Sequence, residues 1–247
     1  MTETAYPFFD YRKQRREVRD IISPSIFNPY SYVSNCLRRT YEAVLPKHLR
    51  GKKGLRILDY GCGVKPYQYI VEGVADEYTG ADVGDNPDAE IKLSAGELLP
   101  LDNGSFDVVI SSQVLEHVEE YDKYMSECRR VLKQGGMLFL STHGTWQFHA
   151  APYDFNRWTH LGLKSLFAKH GFEVIDCAPV LGQLAVPTQL RLAFFESFAN
   201  MTGLAGKLLF KPIAFLGNVK LMIEDKLTPA RVRERDSAIF LLTGRKK

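Results

Sequence analysis

The stretch Leu55–Arg56–Ile57–Leu58–Asp59–Tyr60–Gly61–Cys62–Gly63 constrains this chain more than any other. Leu55, Ile57 and Leu58 form a short apolar run that ends in an acid and then in two glycines spaced G-x-G. Such a run, stopped by glycines, is the pattern of a buried parallel strand handing its chain to a tight turn. Gly61 and Gly63 permit the turn and let a ligand come close to main-chain N–H groups. Asp59, at the carboxyl end of the strand, is placed for the crevice where open α/β sheets bind ligands. A second acid, Asp82, closes the next strand-like stretch, Tyr78–Val83, about 20 residues after the turn, the offset at which a carboxylate takes ribose hydroxyls. Pro66 stands where a G-x-G-x-x-G fingerprint has its third glycine, which argues against a pyrophosphate and for a nucleoside without phosphate. A ligand-free turn would carry the same glycines; Asp82 is what tips the reading towards a ligand.

A chain of 247 residues has room for one large α/β domain with an appendage. The net charge of +3 is too small to point to nucleic acid, and no basic stripe is interleaved with aromatics. The four cysteines, Cys36, Cys62, Cys128 and Cys177, form no C-x-x-C pair and have no histidines at ligand spacing. Reduced thiols in a cytoplasmic protein are therefore expected, with no disulfide framework and no metal. Neither a secretory leader nor a transmembrane helix is expected from the pattern.

In order, residues 1–50 read as a helical lead-in. Within it Asp10–Arg19 is a solvated helix face or a lid that brings Tyr11 or Arg12 over a ligand, and Tyr32–Leu49 is an amphipathic helix. Residues 51–179 alternate strands and helices, which implies a parallel sheet. After the first two strands come Glu90–Ser94, Phe106–Ser112, Met137–Ser141 and Phe172–Cys177. A helix over Tyr121–Lys133 is stopped by Gly135–Gly136, and another is capped by Thr159 and runs to His170. Residues 180–236 form an apolar helical cap inserted in the fold, and 237–247 the last strand with a basic tail.

Several stretches carry a resemblance together. Ile57–Gly63, Gly80–Val83, Leu99–Val109, and Gln113–Val118 followed by Glu127–Gly136 resemble, in order, the motifs of class I S-adenosylmethionine-dependent methyltransferases of the small-molecule branch. The resemblance implies a doubly wound, Rossmann-like seven-stranded sheet whose last strand is antiparallel, and S-adenosylmethionine as cofactor, released as S-adenosylhomocysteine. Gly61 and Gly63 would approach its methionine part with Asp59 near the amino group, Asp82 would hold the ribose, and Cys62 and Val83 would flank them. Gly96 and Glu97 would lie at the adenine, where Ala95 replaces the acid that relatives commonly carry, and Ser112 and Gln113 near the sulfonium. The form Gly61–Cys62–Gly63–Val64–Lys65–Pro66–Tyr67 and the later Pro152–Thr159 look like methyltransferases of bacterial cell-surface glycan or glycolipid assembly.

A hydroxyl acceptor gains from a base, and histidine suits neutral pH. His117 and His143, at the carboxyl ends of the fourth and fifth strands, are the candidates for that role. His149, Tyr153, Asp154 and Arg157, in the irregular stretch that follows, are candidates for binding the acceptor, with Arg157 either pairing with an anionic group or holding Asp154. The expected activity is O-methylation of a small molecule such as a sugar or sugar-lipid. Its rivals are N- or C-methylation of another metabolite or a quinone-like lipid, and a scaffold that binds the cofactor without turnover. The apolar segment 180–227 is expected to cap the acceptor site and to meet a second copy or a membrane surface, its lysines reaching past apolar stems. The expected location is the cytoplasm or the inner face of its membrane.

Overall fold

Neighbouring residues on the central strands are buried on both sides of a sheet, which is what a run without polar alternation requires. The computed structural model describes residues 18–150 and 153–247; the stretch with Tyr11 and Arg12, and Pro152, lie outside the described residues. Helices α1 (Val18–Ile22) and α2 (Ser31–Leu49) lead into β1 (Leu55–Tyr60), α3 (Gln68–Val71), β2 (Ala75–Val83), β3 (Ile91–Leu93) and β4 (Phe106–Ser112). A single 3₁₀ turn (Leu115–His117), α4 (Tyr121–Val131), β5 (Leu132–His143), α5 (His160–Lys169) and β6 (Phe172–Gly182) follow. Helices α6 (Val186–Met201), α7 (Gly203–Leu227) and α8 (Ala230–Arg235) then precede β7 (Ser237–Lys246).

The seven strands lie in the order β3-β2-β1-β4-β5-β7-β6. Strands β1 to β5 pair in parallel, and β7 runs antiparallel between β5 and β6. This is the doubly wound sheet expected from the sequence, with a helical insertion before the last strand. Ile57, Val108, Ile110 and Phe139 face a core shared with α2 and the insertion, whereas Leu58, Val109, Leu138 and Leu140 face one shared with α4 and α5. The stripe Val33, Leu37, Tyr41, Val44 and Leu45 is buried, as its helical spacing predicts. Thr159 caps α5, its Oγ1 accepting from Gly162 N at 3.0 Å.

Several boundaries differ from the sequence reading, two of them through strand pairing at a distance. Helix α4 stops at Val131, short of Lys133, because Leu132 already pairs with Phe106 in the sheet. The glycines expected to end that helix lie within β5. A Cβ at Gly136 would come within 2.9 Å of the Lys133 carbonyl and 3.1 Å of the Asp107 carbonyl, so close strand packing is what needs a glycine there. Strand β6 runs past Cys177 to Gly182 because β7 continues to pair with it as far as Ser237.

The insertion folds as a helical hairpin. Gly217 on α7 faces Leu192 on α6, and Lys220 Nζ donates to Thr188 Oγ1 at 3.0 Å, so the two helices run antiparallel. Asn218, 3% exposed, ties the hairpin to the lead-in. Its Oδ1 accepts from Tyr32 N (2.9 Å), and its Nδ2 donates to the carbonyls of Ile26 (2.9 Å) and Asn28 (2.8 Å). Asn218→Ala leaves these part-buried main-chain groups without a partner. We expect a loss of about 2–4 kcal/mol in denaturant unfolding, with faster amide exchange at Tyr32 than in the wild type.

Candidate active site

β1 is flanked by β2 on one side and β4 on the other, and the chain departs in opposite directions from their carboxyl ends. The opening is a cavity of ≈1330 Å³ lined by all ten residues expected at the cofactor. Gly61 has φ +82°, and a Cβ on it would lie 2.3 Å from Cγ2 of Val114, so the turns after β1 and β4 meet only because no side chain intervenes. Gly63 has nothing within 4 Å of its Cβ position, which leaves its main chain open to a ligand. Asp82 braces the turn: Oδ2 accepts from Gly63 N (2.9 Å) and Asn86 Nδ2 (2.7 Å), and Oδ1 from Val83 N (2.8 Å).

Asp59 is 2% exposed, and its Oδ2 accepts from the Tyr78 hydroxyl at 2.6 Å. Burial pushes its carboxyl up to about 7 against the pull of the Tyr78 bond, and the charge of Asp82 adds to the rise. Cys62, Val83, Gly96 and Glu97 continue the wall. Glu97 turns its Oε2 onto Ser94 N at 2.7 Å, so this side chain fixes its own loop at the expected adenine position. Ser112 and Gln113 lie where β4 ends. Gln113 sits at φ +57°, held there by Ser141, whose carbonyl accepts from its N and whose Oγ accepts from its Nε2, both at 2.9 Å.

The three histidines of the expected site come together at the same cavity. His149 packs edge-on against both others, 4.9 Å from His117 and 4.8 Å from His143 between ring centroids. Nδ1 of His117 lies 2.6 Å from the Tyr153 carbonyl oxygen. A carbonyl only accepts, so Nδ1 carries the proton and Nε2 the lone pair of the neutral ring. His143 is buried, stacked on Trp146 at 4.8 Å, with Nδ1 2.6 Å from Oε1 of Glu116. Glu116 is itself fully buried, and its Oε2 accepts from Thr142 Oγ1 at 2.8 Å. Burial alone would raise the Glu116 carboxyl; His143, and then His117, outweigh it and hold the group at about 2. Burial, together with His143 and His117, pushes His149 down to about 4, so its ring is neutral at physiological pH.

Tyr153 lines the cavity, but Asp154 and Arg157 stand behind its wall. Both Asp154 oxygens accept from the Arg157 guanidinium at 2.6 Å, and Oδ2 also accepts from His149 N at 2.8 Å. Arg157 further donates to the carbonyls of Trp146 (3.2 Å) and Gln147 (2.6 Å). Burial would raise Asp154, but the Arg157 bonds prevail and keep it at about 2. The pair thus builds the loop that presents His149 and Trp146. Glu116 and Trp146 were not singled out from the sequence, nor were Glu196 and Asn200 of α6, which reach the cavity across the fold. Glu116 stood in view beside His117, but nothing local marks it as the acid that meets His143.

Residues 58–140 match the family model described as a methyltransferase domain. Over 153 residues the chain is 29% identical to a Mycolicibacterium smegmatis protein named "Probable S-adenosylmethionine-dependent methyltransferase", covering 56% of this chain and 60% of that one. It is 29% identical over 110 residues to a ubiquinone biosynthesis O-methyltransferase of Sinorhizobium fredii, covering 39% of this chain and 44% of the relative. The chain therefore spans about half the length of the curated relatives it matches. The fold is similar to that of the 1,6-didemethyltoxoflavin-N1-methyltransferase of Burkholderia thailandensis, solved with S-adenosylhomocysteine (TM-score 0.52, 16% identity, 85% of this chain and 77% of that one).

An ammonium group is held by Asp59 only when its carboxyl is ionised. With that carboxyl titrating near 7, affinity for S-adenosylhomocysteine is expected to fall as pH drops below 7, by up to about tenfold per unit, and to level off above it. Calorimetry across this range checks the slope, and Asp59→Asn should weaken binding and flatten the profile.

Proposed function

We propose that this chain, built on a class I S-adenosylmethionine-dependent methyltransferase core, methylates a hydroxyl oxygen of a small molecule, with a sugar or sugar-lipid as the acceptor. The cofactor supplies an electrophilic methyl on a sulfonium and leaves as S-adenosylhomocysteine, so the protein's task is mainly alignment and removal of one proton. Asp82 would take the ribose hydroxyls, Asp59 the amino group, and the open main chain at Gly63 the methionine part.

The observation that carries transfer to oxygen is the tautomer of His117. The Tyr153 carbonyl fixes the proton on Nδ1, and Nε2 is left as the base. The acceptor hydroxyl would give its proton to Nε2 as its oxygen takes the methyl group, the electrons of the C–S bond remaining with the sulfur of the departing S-adenosylhomocysteine. The Sinorhizobium relative, an O-methyltransferase by name, supports the same class of acceptor atom. His117→Ala is expected to lower turnover by about 10²–10⁴-fold with affinity for S-adenosylhomocysteine nearly unchanged. An equal loss of cofactor affinity in calorimetry would assign the residue to structure instead.

The helical hairpin supports a lipid-linked acceptor. Glu196 and Asn200 of α6 line the cavity, while Phe198, Met201, Leu204 and Leu209 near the tip are 58–84% exposed, beside exposed Lys207 and Lys211. Apolar side chains flanked by lysines suit the surface of an anionic membrane. No helix among the described residues is long and apolar enough to cross one. The protein should co-sediment with anionic liposomes, and Lys207→Glu with Lys211→Glu should abolish this without altering cofactor affinity. A stable dimer in solution that ignores liposomes would give the hairpin to a second copy.

A further inference from the structure

A second chemistry is gathered where the acceptor would lie. Glu116, on the 3₁₀ turn after β4, His143, at the end of β5, and His149, on the following loop, each offer one ligand atom, and these atoms lie within 4.8 Å of one another. Glu116 is 0% and His143 5% exposed, so both belong to the interior. Buried polar atoms are normally hydrogen-bonded. Yet Oε1 of Glu116, Nδ1 of His143 and Nδ1 of His149 make no hydrogen bond. The first two are 2.6 Å apart but miss each other's bonding directions, and Nδ1 of His149 is 3.5 Å from Asp154 Oδ2. An ordinary buried ion pair would align its N–H on the carboxylate; three side chains from three segments, each with an unbonded polar atom, converge where a shared partner would fit.

We propose that Glu116, His143 and His149 bind one divalent transition-metal ion of the zinc class. Two imidazoles and one carboxylate are a ligand set of catalytic zinc sites that keep a further position open, and they suit magnesium or calcium poorly. A tetrahedral ion separates such donors by about 3.3 Å, so Glu116 Oε1 and His143 Nδ1, 2.6 Å apart, must open on binding while the outermost of the three closes up. The surroundings are those that hold ligands in register. Thr142 fixes the second Glu116 oxygen, Trp146 stacks on His143, and the Asp154–Arg157 pair anchors the main chain of His149.

His143 and His149 also line the cavity, so the open position faces the acceptor. Resting on the O-methylation reading, the ion would bind the acceptor oxygen and ease loss of its proton to His117.

Metal binding is measured on the full chain alone, after stripping with a chelator and dialysis. Zinc is titrated in competition with a chromophoric chelator, and cobalt is added separately to read its d–d absorption. One zinc per chain is expected, with a cobalt spectrum of low-symmetry coordination and no competition from excess magnesium. His149→Ala, a half-buried loop position, should weaken zinc at least 100-fold while keeping the wild-type circular dichroism and affinity for S-adenosylhomocysteine. His170→Ala, at the end of α5 where the ring pairs with Asp122 outside the cavity, should bind zinc as the wild type does. A stripped protein that takes up no zinc at micromolar concentration overturns the proposal, and so does undiminished binding in His149→Ala. Because neither acceptor nor turnover enters the measurement, loss of methyl transfer alone would count against the O-methylation reading and leave the metal site standing.

Discussion

Everything at the functional edge depends on how two adjacent strands part company. β1 and β4 lie side by side in the sheet, buried on both faces, yet the chain leaves β1 towards β2 and leaves β4 towards β5. Both strands must end in turns that diverge, and the divergence cannot be filled by either one. The cavity is the geometric consequence. What the sequence adds is the chemistry of its rim: glycines that let the two turns touch at Gly61 and Val114, and carboxylates at the ends of β1 and β2. Asp59 is held in a setting that resists its ionisation, a setting in which a cationic group is worth more than it would be in water.

The histidine side of the cavity is built differently, from a loop with little regular structure. Its order comes from hydrogen bonds to elements already fixed. Phe155 N and Asn156 N donate to the Glu116 carbonyl at 2.8 and 3.2 Å, and Trp158 N donates to the His143 carbonyl at 3.0 Å. The part-buried Asp154–Arg157 pair closes the loop on itself. Breaking either partner would leave a charge without compensation, so the pair acts more as a specifier of loop shape than as a source of stability. The same loop supplies the Tyr153 carbonyl that sets the His117 tautomer, so loop geometry and proton position are one property.

The insertion between β6 and β7 closes the third side. It is anchored through Asn218 to the lead-in and through buried Asp225 to β6, whose Gly182 N donates to Oδ1 at 2.7 Å. The base of the hairpin is thus polar and fixed, while its tip presents large apolar side chains to solvent. A hairpin with that division has a fixed foot on the lead-in and β6, while its far end both reaches the cavity through Glu196 and Asn200 and offers a surface suited to contact.

The sequence by itself determined the sheet. Runs such as Ile57–Leu58 and Val108–Ile110, stopped by glycine or turn residues, allow little else, and they locate the switch point and the residues that line its cavity because those follow strand ends at short range. The helical stripe of α2 and the Thr159 cap were legible for the same reason: their signals lie within a few residues. Boundaries set by partners were not, as at Leu132, where pairing with Phe106 ends a helix whose own residues would continue it. The histidine site shows the limit most clearly. His117, His143 and His149 could be placed near one edge, and Arg157 holding Asp154 was one of two readings, but Glu116 met His143 only in the tertiary structure. That contact joins segments whose spacing carries no periodicity, and a buried charge takes its partner from whichever side chain the packing brings within reach.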